Sequence, residues 1–172
     1  KAADRGASPA RPPRAEAGIR IRYNRSVIRH PSDWTQPLKV HDRLDTRVSI
    51  LKVHPGITPE VVTVFLLAPE IRAVILETYG SGNAISRPWF LALIREAAKT
   101  KVVVNVTQCK SGTVNMDIYA TGKTLKLAGV VSGQDITTEA ALGKLFVLMG
   151  LYEDNEQVKN RFGEDLIGEI SK

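Results

Sequence analysis

With 172 residues, 43% of them hydrophobic and 24% charged, the chain has the length of one ordinary domain and enough apolar material for a packed core. No apolar run is long enough to span a bilayer, and a single cysteine, Cys109, excludes an internal disulfide and suits a reducing, cytoplasmic compartment. The formal charge of +6 sits in the head: residues 1–30 hold eight Lys/Arg against two acids, and the remainder balances at sixteen of each sign. A basic head on a neutral body is one footprint of a nucleic-acid binder. Tyr23 is the only aromatic residue in that stretch, so a solvated linker or interdomain surface is the preferred reading and nucleic-acid binding is not expected.

Residues 1–18 are rich in Ala, Arg, Pro and Gly, with Ser8-Pro9 and Pro12-Pro13, and read as an extended connector because proline disfavours helix at the residue before it. Residues 19–46 follow as a short strand, Ile19–Tyr23, and an irregular segment with Pro31, Trp34 and Pro37. From Arg47 to the end the rhythm is regular. Val48–Val53 reads as a strand, and Thr58-Pro59-Glu60 as an N-cap, a proline at the first helical position and a first-turn acid, opening a helix to about Ala68. Arg72–Thr78 is the second strand. It ends at Tyr79-Gly-Ser-Gly-Asn83, a crest with little side-chain bulk whose two glycines admit a ligand or another chain to the backbone, before a helix over Ser86–Lys99. Lys101–Val106 is the third strand, then a helix from about Asn115 to Ala128 that is irregular near Gly122. Gly129–Ser132 is a short fourth strand, Thr137 caps a helix to Met149, and Asn155–Phe162 is a last amphipathic helix.

Short apolar strands separated by helices are the pattern of a parallel sheet covered on both faces. The expected fold class is therefore α/β: a three-layer, flavodoxin- or Rossmann-like, four-stranded parallel sheet preceded by an extended linker and a short strand. Right-handed crossovers bring all four crests, near 54–58, 79–86, 107–113 and 132–137, to one edge, and function is sought there.

Taken singly, the familiar signatures fail. Ala120-Thr-Gly-Lys-Thr124 has the tail of a phosphate-binding loop, but the glycine required five residues before Gly122 is Asp117. Gly80-Ser-Gly82 opens a dinucleotide fingerprint whose third glycine is Ile85. His30, His41 and His54 have no acid at metal-ligand spacing, so no metal or other cofactor is expected. Cys109 reads as a small apolar residue beside a strand end, and no nucleophile–base pairing stands out.

A resemblance goes further. Ile50-Leu-Lys-Val-His-Pro-Gly-Ile57, Glu77-Thr-Tyr-Gly-Ser-Gly-Asn-Ala84, Val104-Asn-Val-Thr-Gln-Cys109, Ser111-Gly-Thr-Val-Asn115, Tyr119-Ala-Thr-Gly122 and Ala128-Gly-Val-Val-Ser-Gly-Gln-Asp-Ile-Thr137 closely resemble the C-terminal domain of type I (cytoplasmic) L-asparaginases. The resemblance covers nearly the whole chain, and it makes residues 1–18 an interdomain linker and 47–172 the C-terminal α/β domain. It implies hydrolysis of L-asparagine to L-aspartate and ammonia, with the threonine nucleophile in an N-terminal domain. No Thr-Gly-Gly-Thr motif of that domain occurs in this chain, so the chain alone is expected to be inactive.

The resemblance also implies a homodimer, or a dimer of dimers, in which this domain closes a neighbouring protomer's pocket. Asn83 would reach the substrate's amino-acid end, and Tyr119 would stand where related enzymes place a second neighbour-derived group. In some relatives that group is an acid. Tyrosine supplies no fixed negative charge, so here it hydrogen-bonds or orients. An effector pocket is implied around Thr107 and Cys109. Members that use it carry an arginine where this chain has Glu77, and a carboxylate there repels an amino acid's own carboxylate, so allosteric asparagine binding is not expected. A free-standing, non-catalytic α/β module that binds a partner or small ligand stays open as the alternative.

Overall fold

The computed structural model describes residues 39–171 and five positions upstream, Tyr23, Arg25, Ile28, Thr35 and Pro37. The expected linker at 1–18 lies outside the described residues, as does the short strand from Ile19, Tyr23 apart. The chain divides between Pro37 and Leu38, and the architecture below is that of the second unit.

β-Branched and leucine runs form the strands β1 (Val48–Lys52), β2 (Ala73–Thr78), β3 (Val102–Thr107) and β4 (Val131–Ser132). Between and after them come the helices α1 (Pro59–Leu67), α2 (Pro88–Thr100), α3 (Ala120–Leu127), α4 (Thr138–Leu151) and α5 (Asn155–Phe162). All four strands are parallel, in the order β1-β2-β3-β4. The expected α/β class is what the structure shows.

A monotone order has a consequence for the layers. Crossovers of one hand, all running in one direction, drop their helices on the same face. Val62 and Leu66 of α1, Phe90 and Ile94 of α2 and Leu125 of α3 accordingly share one core with Leu51, Val74, Leu76 and Val103. The opposite face, with Ala73, Ile75, Val102, Val104 and Val106, is covered by α4 and α5, through Ala141, Leu145, Leu148, Val158 and Phe162. Successive strand residues alternate between the two cores, as the pleat requires. The order never reverses, so there is no switch-point crevice within the sheet. Its carboxyl edge is an open rim.

Three expectations are corrected in detail. The second helix does not begin at Ser86: Arg87 holds the N-cap position of α2 with extended backbone, because Pro88 disfavours helix at the residue before it, and the helix starts on the proline. Thr58 does occupy the cap position of α1, but its hydroxyl makes no cap bond. Residues 115–119 are not helical. Asn115 Oδ1 accepts the Asp117 N–H in a local turn, and that turn folds over Gly122, where a Cβ would lie 2.7 Å from the Met116 carbonyl oxygen. Gly122 is thus no irregularity but a close approach within a regular α3. Thr137 caps α4 through the Ala140 N–H, as read from the sequence.

Candidate functional site at the carboxyl edge

The crest after β2 is built from beneath. Tyr79 and Asn83 face each other across a tight loop, exchanging N–H···O bonds of 2.8 Å in both directions. Gly80 and Gly82 take φ of 48° and 93°, a region costly for residues with a Cβ. Gly82 has a second reason to be glycine. A Cβ there would stand 2.6 Å from Val114 Cγ1 and 3.0 Å from Asn105 Nδ2. The close approach expected of a ligand is therefore made at Gly82 by the protein itself, whereas nothing lies within 4 Å of a Cβ placed on Gly80.

Asn105, fully buried in β3, is the brace, and the sequence reading assigned it no role. Its Oδ1 accepts the Thr78 hydroxyl at 2.6 Å and its Nδ2 donates to the Gly82 carbonyl at 2.9 Å. Its own backbone carbonyl accepts the Gly133 N–H at 2.8 Å. One buried residue thus links β2 and the crest through its side chain and the loop after β4 through its backbone. A signal was present: a lone amide within Val102-Val-Val-Asn-Val must bond something inside the core. From the side, the Asn115 N–H donates to the Ser81 carbonyl at 2.9 Å.

Asn83 meets the first turn of α3 through Thr121, two residues after Tyr119. Tyr119 is the N-cap residue, exposed and making no cap bond, and Thr121 in the first turn donates its hydroxyl to Asn83 Oδ1. The same oxygen accepts the Ala84 N–H at 3.1 Å. Asn83 is not the left-handed turn residue that its place after a glycine suggests, because among the described residues Gln134 is the non-glycine with positive φ, at 55°.

Glu77, Thr107 and Cys109 gather separately, in a cleft of about 230 Å³ whose walls also include Lys52, Asp135 and Thr138. The register sets Glu77 beside Lys52, and α4 reaches it from the other side, where the Thr138 hydroxyl donates to Glu77 Oε1 at 2.6 Å. Thr107 donates to the Gly80 carbonyl at 2.5 Å and accepts the Cys109 N–H at 3.0 Å, leaving the Cys109 side chain exposed. Bonds from the Ser171 hydroxyl and backbone hold the Asp135 carboxyl below its usual range. Gln108 ties the rim together, its Nε2 donating to the carbonyls of Val53 and Glu77. Among the described residues no cluster of His, Cys, Asp and Glu is placed to hold a metal. The five expected site residues thus form two groups, Asn83 with Tyr119 and Glu77 with Thr107 and Cys109, both on the carboxyl edge.

Fold and crest together define a class, a parallel α/β domain whose polar groups collect on one open sheet edge. Residues 47–162 match the family described as the glutaminase/asparaginase C-terminal domain. The chain belongs to that family, as its C-terminal domain. It is 42% identical to L-asparaginase 1 of Escherichia coli K12 over 170 residues, covering 98% of this chain and 49% of that protein. It is also 38% identical to the 60 kDa lysophospholipase of Mus musculus, over 95% of this chain and 29% of that one. Among solved structures, L-asparaginase I from Vibrio cholerae superposes with a TM-score of 0.74 at 41% identity, over 80% of this chain and 42% of that one. The thermostable L-asparaginase from Thermococcus kodakarensis gives 0.70 at 33% identity, over 76% and 39%. The chain spans about half the length of the bacterial asparaginase it matches.

Proposed function

We propose that the chain is the C-terminal half of an amidohydrolase that converts L-asparagine to L-aspartate and ammonia. In the proposed reaction a threonine of a separate N-terminal domain attacks the side-chain amide carbon, ammonia leaves with a proton, and water cleaves the resulting ester to restore the threonine. The domain contributes no attacking oxygen. It closes the pocket of a neighbouring protomer in a cytoplasmic homodimer or dimer of dimers, with Asn83 on the substrate's amino-acid end and Tyr119 beside it. Residues 1–18 are its linker and 47–172 its folded body.

The observation that carries this reading is the open rim. A monotone sheet has no switch-point crevice, yet Asn105, Asn115 and Thr121 hold a polar crest on its rim. Such pre-organisation is useful where another surface completes the site. Relatives named as a lysophospholipase and as part of a glutamyl-tRNA(Gln) amidotransferase share this domain, which fits a part that frames a pocket while the reaction is set elsewhere. The cleft at Glu77, Thr107 and Cys109 is the candidate effector pocket. With the Glu77 carboxylate in it, asparagine is not expected to act there as an effector.

The test is direct. In a polypeptide carrying this domain and a Thr-Gly-Gly-Thr half, Asn83→Ala should lower kcat/KM for L-asparagine roughly ten-fold or more, with denaturation midpoints little changed. Unchanged kinetics remove Asn83 from the site. The purified 172-residue chain should release no ammonia from L-asparagine, and measurable turnover would end the proposal that the nucleophile lies elsewhere.

A further inference from the structure

Helix α4 differs from α2 and α5 in what it shows to solvent. Those two turn charged or amide side chains outward, Arg95, Glu96 and Lys99 on one and Glu156, Asn160 and Arg161 on the other. α4 is apolar on every side: beyond Glu139 in its first turn, its only ionisable residue is Lys144. The inner face, Ala141, Leu145, Leu148 and Met149, packs on the sheet. The outer face runs Ala140, Gly143, Val147, Leu151, one stripe at helical spacing, with Val147 and Leu151 exposed. A helix that is apolar all round is normally covered all round.

The stripe carries both a hollow and a knob. Nothing lies within 4 Å of a Cβ placed on Gly143, and a groove of about 420 Å³ opens there between Ala140, Val147 and the C-terminal turn at Leu166 and Ile167. Ile167, in the wall of that groove, is 84% exposed. The turn is held in place, because the Glu169 carboxylate accepts the N–H groups of Leu166 and Ile167 and pairs with Lys144 at 2.6 Å. Lys144 also lies over the Phe162 ring, so the one cation of the helix is buried and neutralised. At the far end Leu44, packed on Gly150 and itself exposed, prolongs the apolar surface. The whole stripe is roughly 20 Å long at 1.5 Å per helical residue.

We infer that the outer face of α4 is a self-association surface, which pairs with the same face of a second copy of the chain about a twofold axis near Gly143. In a twofold contact each surface meets its own copy, so what projects from one must fill a hollow in the other. Ile167 and the groove over Gly143 lie on one face and supply both parts. The face is uncharged, so two copies meet without like-charge repulsion, and the missing side chain at Gly143 lets the two helices approach closely. α3 belongs to the layer on the opposite face of the sheet, so this contact is separate from the rim proposed to close a neighbour's pocket. Two different twofold contacts join four copies rather than two. That count rests on the rim reading; the α4 contact does not.

The experiment is sedimentation of the polypeptide that carries both domains, which should give four copies. Val147→Glu puts a charge in the middle of the stripe and should halve the mass, with kcat/KM for L-asparagine within about two-fold of wild type. Gly143→Leu fills the groove without adding charge and should halve it too. Val64→Glu, on the exposed side of α1, should leave the mass unchanged. A Val147→Glu protein that keeps the wild-type mass overturns the inference and leaves the stripe to the N-terminal half. So does an assembly split by Val64→Glu and not by Val147→Glu. Single, inactive copies from Val147→Glu also overturn it, because α4 would then be the pocket-closing contact. Single copies with full activity uphold the α4 contact and remove instead the reading that the rim completes a neighbour's site.

Discussion

The two edges of the sheet use polar side chains in opposite ways. At the amino edge they are consumed in holding the fold. Arg72, just before β2, donates to the carbonyls of Met149, Tyr152 and Glu153, to Asn155 Oδ1 and to Asp45, closing the end of α4 and the start of α5 onto the sheet. Lys101, before β3, donates to the carbonyls of Ala68 and Ile71, and burial pulls its pKa down. Paired bonds from Arg47, helped by Arg72, hold the Asp45 carboxyl well below its usual range. At the carboxyl edge, polar groups are satisfied only on the side that faces the protein. Asn83 bonds inward through its oxygen, Gly80 is open, and the Tyr119 side chain stands exposed. A fold can leave donors open at one edge because the other edge is locked.

That contrast breaks most visibly at Arg72. Removing it in Arg72→Ala strands several carbonyls and the Asn155 side-chain oxygen in a largely buried setting, and should cost about 3 kcal/mol by urea denaturation of the chain. A loss below about 1 kcal/mol would mean the amino edge is not locked by this residue. Next comes the brace on the opposite side. Asn105→Ala leaves the Gly82 carbonyl without its partner and the Thr78 hydroxyl with the Val106 carbonyl at 3.2 Å alone, and should cost about 2 kcal/mol. Unlike Arg72→Ala, it should also weaken turnover in the two-domain polypeptide by loosening the crest. Equal kinetic effects from both variants would erase the distinction between the edges.

Acid sharpens the comparison by acting on a third lock. Glu169 is buried against Lys144, 2.6 Å away. Burial alone would raise its pKa, but the Lys144 ammonium and the N–H groups of Ile167 and Leu166 outweigh it and hold the carboxyl at about 2. A folded-state pKa below the unfolded value gives stability that is complete above the unfolded value. It is then lost as pH falls toward the folded one. The chain should therefore lose on the order of 2 kcal/mol between about pH 5 and pH 2 from this pair, and Glu169→Gln should flatten that limb of the denaturation profile. A profile unchanged by the substitution would exclude this pair as a source of acid lability. The smallest effect is expected at the Glu77 cleft. The two-domain enzyme should show hyperbolic saturation by L-asparagine, and sigmoidal curves would show that the cleft still takes an asparagine effector despite its acid.

Much of the fold was legible because its signals are local. Pro59, Thr137 and the runs Ala73–Thr78 and Asn155–Phe162 carry their structure in their own composition, and the observed bounds fall within a residue or two of the expected ones. The segment 115–119 was not, because helix-compatible residues there are diverted by Ser81, distant in sequence, and by the close approach of the Met116 backbone to Gly122. That the candidate residues share the carboxyl edge of the sheet was legible from the strand ends. Their division into two groups, and the roles of Asn105, Thr121 and Arg72, were not.

The pattern of strands and helices, the sparse aromatic content of the basic head and the family's recurring motifs were decided by residue order alone, since each depends on near neighbours or on identity. Which end of the Asn83 amide faces outward, and which glycine the protein itself crowds, were decided only when α3, β3 and the crest met in space. Hydrogen bonds across 23 or 38 positions depend on the packed arrangement of backbones, and no local pattern encodes that distance.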